Sequence, residues 1–206
     1  MSQGTLFIVS APSGAGKTSL VQALVARDER VRLSVSHTTR APRPGEENGQ
    51  HYHFVDEVTF REMIDQGAFI EHAQVFDNFY GTSRDAVTRP MDEGLDVVLE
   101  IDWQGAEQVR RQFPEALSVF ILPPGRDALR QRLQGRGQDP EEVIERRMRD
   151  AVAEMSHYGE FDYLIVNDDF EQAAAELEGI VTTQRLRCCA QSARHFDLIR
   201  SLLGND

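Results

Sequence analysis

A glycine-rich segment near the start of the chain constrains the fold most strongly. It follows an apolar run at residues 6–9 and reads Ala11-Pro12-Ser13-Gly14-Ala15-Gly16-Lys17-Thr18. The segment matches the phosphate-binding pattern G-x-x-x-x-G-K-[ST], except that Ala11 stands in place of the first glycine. In that pattern a strand leads into a turn whose backbone amides, together with a helix N-terminus, surround a phosphate group. The segment therefore predicts a strand–loop–helix unit that binds phosphate.

Lys17 is the only lysine among the 22 basic residues of the sequence. Because arginine serves at every other basic position, this one indicates a need for a compact ammonium group rather than a planar guanidinium. We expect Lys17 to reach the outer phosphates of a nucleotide and the Thr18 hydroxyl to reach Mg²⁺. A glycine-rich turn without a ligand is the alternative interpretation, and the position of the lone lysine disfavours it.

Beyond this loop, apolar runs typical of buried strands alternate with segments of helical periodicity. We predict strands at residues 6–9, 33–35, 97–101, 118–122 and 163–166. We predict helices at residues 18–27, 103–112, 126–133, 139–155 and 170–203. Strands separated by helices favour a parallel sheet that is covered on both faces.

Two segments depart from this alternation. Residues 36–93 start with a polar stretch rich in Pro, Gly and Arg, followed by extended segments and a helix capped by Asp56, and we interpret them as an inserted subdomain with its own small sheet. Residues 125–156 are highly charged and helical, which is typical of a lid. The predicted fold class is therefore α/β, a doubly wound parallel sheet with a P-loop, an inserted subdomain and a helical lid. We expect a single domain over residues 1–206, with its core at 1–35, 94–124 and 157–206.

The charge balance limits the classes of partner. The sequence has 34 acidic and 22 basic residues, a net charge of −12. A surface this negative repels the phosphates of nucleic acids and anionic lipids, so we expect neither as a partner. No apolar run approaches the roughly 18 residues that span a membrane, and the first residues lack the features of a signal peptide, so we expect a cytoplasmic protein. The oligomeric state is left open.

A second group of polar residues begins the inserted segment and reads Ser36-His37-Thr38-Thr39-Arg40-Ala41-Pro42-Arg43-Pro44-Gly45-Glu46. Arg40 and Arg43 are three residues apart and are braced by prolines, so their guanidinium groups can clamp one phosphate. Tyr52, Glu71 and Tyr80 follow farther along the chain. By composition alone, a solvated polar loop is as good an interpretation of these residues as a binding site.

Taken together, these segments resemble guanylate kinases of the bacterial type, which transfer a phosphoryl group from ATP to GMP. The resemblance extends over essentially the whole chain. Besides the phosphate loop and the arginine loop, it is carried by Gly49-Gln50-His51-Tyr52-His53-Phe54, Phe69-Ile70-Glu71, Tyr80-Gly81-Thr82, Glu100-Ile101-Asp102-Trp103-Gln104-Gly105, Leu133-Gln134-Gly135-Arg136-Gly137 and Ile165-Val166-Asn167-Asp168-Asp169.

The resemblance implies a GMP site in the inserted subdomain. Arg40 and Arg43 would hold the phosphate, with the hydroxyl groups of Tyr52 and Tyr80 as further donors. Glu71 would recognise guanine, because a carboxylate can accept from both the ring N–H and the exocyclic amino group. AMP would leave that carboxylate unpaired, since adenine lacks the ring N–H. The remaining implied GMP contacts are Ser36, Thr82 and Asp102.

For ATP, the resemblance implies binding by the eight residues of the phosphate loop and by Asn167 near the adenine. Thr18 and Asp102 would support Mg²⁺, directly or through water, and Glu100 is a weaker candidate. The alternative role for Asp102 is to cap the helix that starts at Trp103.

Arg136 and Arg147 would close from the lid onto the transferring phosphoryl group. We favour Arg147 over the adjacent Arg146. The other lid arginines are interpreted mostly as solvated charges that pair with Glu141, Glu142 and Glu145; they are Arg130, Arg132, Arg146 and Arg149.

The implied reaction is the ATP-dependent phosphorylation of GMP, and of dGMP, in guanine nucleotide synthesis and recycling. Phosphoryl transfer needs mainly positioning and charge neutralisation, so we expect no side-chain nucleophile and no essential general base. Two alternatives stay open. A non-catalytic interaction module of the same fold is disfavoured by the intact Gly14, Gly16, Lys17 and Thr18, and a kinase for another monophosphate is disfavoured by Glu71.

Overall fold

The computed structural model describes residues 3–75, 77–135 and 140–204. Its strands are Leu6–Ser10 (β1), Val31–Leu33 (β2), His37–Thr38 (β3), His53–Phe54 (β4), Phe69–Val75 (β5), Asn78–Ser83 (β6), Asp96–Glu100 (β7), Leu117–Leu122 (β8) and Tyr163–Val166 (β9). Its helices are Lys17–Arg27 (α1), Glu57–Asp65 (α2), Arg84–Asp92 (α3), Trp103–Gln112 (α4), Arg126–Gln134 (α5), Glu141–Met155 (α6), Phe170–Arg185 (α7), Cys188–Arg194 (α8) and Phe196–Leu202 (α9).

A five-stranded parallel sheet in the order β2-β7-β1-β8-β9 forms the centre of the fold. Side chains alternate between the two faces of a strand, and both faces of β1 are covered, which explains why residues 6–9 are all apolar. Phe7 and Val9 pack with α1 and α7, whereas Leu6 and Ile8 pack with α3 and α4 on the opposite face. The predicted α/β fold with helices on both faces of a parallel sheet is confirmed.

The second sheet is small and mixed, in the order β4-β3-β6-β5. β3 pairs in parallel with β4, and β6 runs antiparallel to both β3 and β5. The buried Phe60 of α2 stacks on Phe69 with ring centroids 4.6 Å apart, which joins the helix to the sheet. The register of β5 shifts between Phe69 and Glu71, so that Glu71 lies opposite Thr82. Such irregularities bend a strand and redirect its side chains, and this one adjoins the polar cluster described below.

Besides shifts of one residue at the ends of several elements, two predictions differ clearly from the structure. The second strand was expected at 33–35 but occupies Val31–Leu33, because Val31 pairs with Asp96 at the start of β7. The long helix expected at 170–203 is divided into α7, α8 and α9. The first break follows Arg185, whose carbonyl accepts a hydrogen bond from the Gln191 side chain at 2.8 Å, while Arg187 adopts an extended conformation. The predicted start of the lid helix at Asp139 lies outside the described residues, and α6 begins after Pro140.

The carboxyl ends of the parallel strands meet at one edge of the central sheet. The phosphate loop follows β1, Asp102 follows β7 and Asn167 follows β9. In open α/β sheets this edge is where ligands bind. In the part of the chain that the structure describes, no helix is long and apolar enough to cross a membrane.

Candidate active site

The phosphate loop connects β1 to α1 and has the backbone that its glycines predict. Gly14 and Gly16 adopt φ angles of 92° and 95°, which residues with a side chain rarely do. A Cβ atom at Gly16 would lie 2.3 Å from the Nδ2 atom of Asn167. That amide nitrogen donates a hydrogen bond to the carbonyl of Ala15 at 2.7 Å, so the end of β9 supports the loop. The half-buried Ala11 packs against the core beneath α1, so its extra methyl group is accommodated beside the loop.

Lys17 and Thr18 both contact the end of β7. The Lys17 ammonium donates to the carbonyl of Ile101 at 3.1 Å, and the Thr18 hydroxyl donates to the Glu100 carboxylate. Asp102 caps α4, because its Oδ1 atom accepts from the amide of Gly105 at 2.8 Å. The cap foreseen as the alternative for Asp102 is therefore present, and Glu100 contacts Thr18 directly. The loop and the strand end thus gather one ammonium, one hydroxyl and two carboxylates.

A chain of hydrogen bonds in the second sheet leads to a buried carboxylate. The hydroxyl oxygens of Ser36 and Thr82 lie 3.1 Å apart, and Thr82 donates to the Oε1 atom of Glu71 at 2.6 Å. Glu71 is only 5% exposed. Burial raises the pKa of Glu71 to about 7; the Thr82 hydrogen bond opposes this shift and the charge of Asp102 adds to it. A carboxylate held in this way is short of donors, so a ligand that offers N–H groups can stabilise it.

The arginine loop is organised by Glu46. Both oxygens of its carboxylate accept from the Nη2 atom of Arg40, at 2.8 and 2.9 Å, and Oε2 also accepts from the backbone amide of Arg43 at 2.7 Å. The hydrogen bond from Arg40 is the main reason that the pKa of Glu46 is lowered. The guanidinium carbon of Arg40 lies 5.6 Å from the ring centroid of Tyr52, whose ring is 6.0 Å from that of Tyr80. Four of the predicted phosphate ligands therefore belong to one region, and Arg43 is the exposed member.

The lid helix α6 contacts the phosphate loop. Arg147 donates to the hydroxyl of Ser13 at 2.8 Å, whereas Arg146 lies 3.9 Å from Asp150 on its own helix. The predicted lid residue Arg136 lies outside the described residues. Glu154 was missed by the sequence interpretation, yet its Oε2 atom accepts from the amide of Ser13 at 3.2 Å. Glu154 follows Arg147 by seven residues, two helical turns, and this spacing is a signal that would have placed both on one face.

Arg132 is the second residue to which the sequence interpretation gave no role of its own. It was grouped with lid arginines interpreted mostly as solvated charges, but it donates to the carbonyl of Asn167 at 2.9 Å and of Ala15 at 3.4 Å. Its neighbour on α5, Arg130, does behave as expected and pairs with Glu141 at 2.8 Å. No local feature of the sequence distinguishes these two arginines, since only the packing of α5 decides which one faces the loop.

The oxygen atoms at the end of β7 suit an open magnesium site, completed by substrate phosphates and water, better than a site formed by protein ligands alone. Mg²⁺ prefers oxygen ligands and is usually held by one or two carboxylates together with substrate phosphates and water. Thr18, Glu100 and Asp102 supply such oxygens beside the phosphate loop. Among the described residues, no group of three or more His, Cys, Asp or Glu side chains could hold a metal ion by itself.

Comparison with known proteins gives one consistent result. The family model described as guanylate kinase matches residues 3–184. The chain is 62% identical over 201 residues to the guanylate kinase of Alkalilimnicola ehrlichii, covering 98% of this chain and 99% of that one. It is 58% identical over 207 residues to the guanylate kinase of Escherichia coli strain K12, covering all of both chains. The crystal structure of guanylate kinase from Anaplasma phagocytophilum superimposes with a TM-score of 0.74 at 35% identity, over 92% of this chain and 90% of that one.

Proposed function

The chain belongs to the guanylate kinase family, and from this premise we propose which of its residues carry out the family's reaction. The chain catalyses the ATP-dependent phosphorylation of GMP, with ATP and GMP as its substrates. One observation supports the assignment of residues above the others. A buried, donor-poor carboxylate, Glu71, lies near Asp102 and hence close to the edge of the sheet that carries the phosphate loop.

In this proposal Glu71 recognises the guanine base. Its carboxylate accepts from the ring N–H and the exocyclic amino group, while Ser36 and Thr82 complete the polar wall beside it. Asp102 contributes a further substrate contact from the end of β7. A site built on such hydrogen bonds can reject an analogue that lacks them by as much as about 10⁴- to 10⁵-fold. The same contacts are compatible with dGMP, since none of them involves the ribose.

The GMP phosphate is assigned to Arg40 and Arg43, with the hydroxyl groups of Tyr52 and Tyr80. Arg40 is paired with Glu46 at 2.8 Å. The Glu46 carboxylate therefore keeps the guanidinium near Tyr52 until a phosphate competes for it. Charge-assisted, forked hydrogen bonds from arginine suit a phosphate better than a single ammonium group would.

ATP is assigned to the phosphate loop, residues 11–18, with Lys17 at its outer phosphates. Asn167 joins the loop to the adenine region, and its Oδ1 atom is buried without a hydrogen-bond partner among the residues that the structure describes. Thr18 and Asp102, together with Glu100, would hold Mg²⁺, directly or through water. When bound, this ion would neutralise charge on the nucleotide phosphates.

Catalysis then depends on alignment and on charge. Lys17 balances negative charge on the transferring group, Arg40 and Arg43 direct the GMP oxygen towards it, and Arg136 and Arg147 approach from the lid. We assign the GMP-binding insertion to residues 36–93 and the lid to residues 125–156, within one domain. Closure of both parts over the substrates would exclude water and suppress ATP hydrolysis.

The test is to measure ADP formation from ATP and Mg²⁺ with GMP, dGMP, AMP, CMP or UMP as acceptor. We expect the highest kcat/KM with GMP, activity with dGMP, and a large loss for GMP in Glu71→Ala. Glu62→Ala, at an exposed position of α2, is the matched control and should behave as wild type. Equal use of AMP would contradict the role of Glu71, and binding of ATP without transfer to any acceptor would favour the interaction module.

A further inference from the structure

Gly105 occupies an unusual place for a glycine, because it lies in the first turn of α4, the helix that Asp102 caps. Glycine is a poor helix former compared with alanine, because it loses more backbone freedom on folding. A positive φ angle is a common reason for glycine at a given position. Gly105, however, has helical backbone geometry and does not belong to the glycines with positive φ. The reason for glycine here must therefore be space.

The space beside Gly105 is occupied by the carboxylate of Glu71. A Cβ atom at Gly105 would lie 3.0 Å from the Oε2 atom of Glu71 and 3.4 Å from the Cβ of Ile101. The first contact is so short that the carboxylate would have to move by a few tenths of an ångström. Its other oxygen is held at 2.6 Å by the Thr82 hydroxyl, and the whole side chain is 5% exposed. The carboxylate can therefore move only by changing its position relative to Thr82.

The amide of Gly105 has a second role, since it donates to Asp102 and fixes the first turn of α4. This turn is thus a rigid wall, with Asp102 held on one side and Glu71 packed against the other. Because Gly105 has no side chain, the backbone of α4 at this position sets how far the Glu71 carboxylate lies from the base site.

We propose that Gly105 is a specificity-determining positioning residue, which places the Glu71 carboxylate at the depth that guanine recognition requires. This inference rests on the proposed role of Glu71. Gly105 acts through Glu71. A methyl group at position 105 displaces the carboxylate and misaligns its two hydrogen bonds with the base.

The direct test is Gly105→Ala. Hydrogen bonds weaken steeply when their geometry departs from the optimum, so a displacement of a few tenths of an ångström predicts a KM for GMP that is raised about three- to tenfold. The KM for ATP and kcat should stay close to wild type. The preference for GMP over IMP, whose base keeps the ring N–H but lacks the exocyclic amino group, should fall, because it reports the contact of the carboxylate with both donors.

Gly179→Ala is the matched control. It makes the same substitution within a helix, α7, at an exposed glycine whose Cβ would meet nothing within 4 Å. It should leave both KM values and the preference for GMP over IMP unchanged. Any general effect of alanine on helix stability is therefore separated from the effect of the methyl group on Glu71.

A double substitution tests the mechanism, including the case in which Gly105→Ala folds poorly. In a Glu71→Ala background the contact is gone, so adding Gly105→Ala should fold and should not raise the KM for GMP further. The inference would be overturned if the two substitutions raised the KM for GMP additively. It would also be overturned if Gly105→Ala lowered kcat and raised the KM for ATP as much as the KM for GMP. If Glu71→Ala alone leaves GMP use unchanged, the proposed role of Glu71 fails first. If it impairs GMP use while Gly105→Ala does not, only the role of Gly105 is refuted.

Discussion

Glu71→Gln isolates the energetic effect of ionising a buried carboxyl group. Burial raises the pKa of Glu71 from its ordinary value of 4.5 to about 7, against the Thr82 hydrogen bond and with a contribution from Asp102. At about 1.36 kcal/mol per pKa unit, this shift corresponds to about 3 kcal/mol of stability. Glutamine has nearly the same shape, accepts the same hydrogen bond from Thr82 and carries no charge. The substitution therefore removes the ionisation and little else.

The sign of the effect follows from where the proton is bound. Between about pH 4.5 and pH 7, folded Glu71 keeps a proton that the unfolded chain has released. The free energy of unfolding therefore decreases as the pH rises through this range, and the decrease is complete above pH 7. We expect Glu71→Gln to be more stable than wild type by about 3 kcal/mol at pH 8 and by less than about 1 kcal/mol at pH 5.

The measurement is urea denaturation at both pH values, without nucleotides, followed by far-ultraviolet circular dichroism. Glu62→Gln, the same substitution at an exposed site, is the control and should track wild type. A stability difference between Glu71→Gln and wild type that is the same at pH 5 and pH 8 would refute the reasoning, as would a less stable variant at pH 8. GMP binding should respond in the opposite sense. Guanine donors favour the ionised carboxylate, so the wild-type KM for GMP should rise as the pH falls below 7.

Two further substitutions test the phosphate loop. Lys17→Arg should lower kcat by at least about 100-fold and keep the fold, because a planar guanidinium cannot replace the compact ammonium. Initial rates measure the loss of kcat, and circular dichroism checks the fold. A kcat near wild type would contradict this role of Lys17. Glu154→Gln removes a negative charge beside Ser13 that opposes the phosphates of ATP. It should lower the KM for ATP about two- to fivefold, because one charge of the same sign as the phosphates is removed, and an unchanged or higher KM would count against this effect.

Secondary structure was predictable wherever it depends on near neighbours in the sequence. The helix at 103–112 and the strand at 163–166 have the predicted bounds. Asp56 caps α2 as expected, with its carboxylate accepting from the amide of Thr59 at 2.7 Å. The prediction of one long C-terminal helix was wrong, because the breaks between α7, α8 and α9 depend on tertiary contacts. Arg185 at the end of α7 pairs with Asp96 at 2.6 Å, and no periodicity in the sequence reports that contact.

The amino-acid sequence by itself determined the fold class, the phosphate loop and the family, because these depend on spacing, turn chemistry and apolar periodicity within short segments. Tertiary structure alone decided which distant residues meet. Glu154 reaches Ser13 across 141 positions, and Arg132 rather than Arg130 reaches the loop. The space between Gly105 and Glu71 is likewise set by how α4 packs against β5. Such contacts depend on helices and strands packing in three dimensions, and residues so far apart in the chain leave no local pattern from which to predict them.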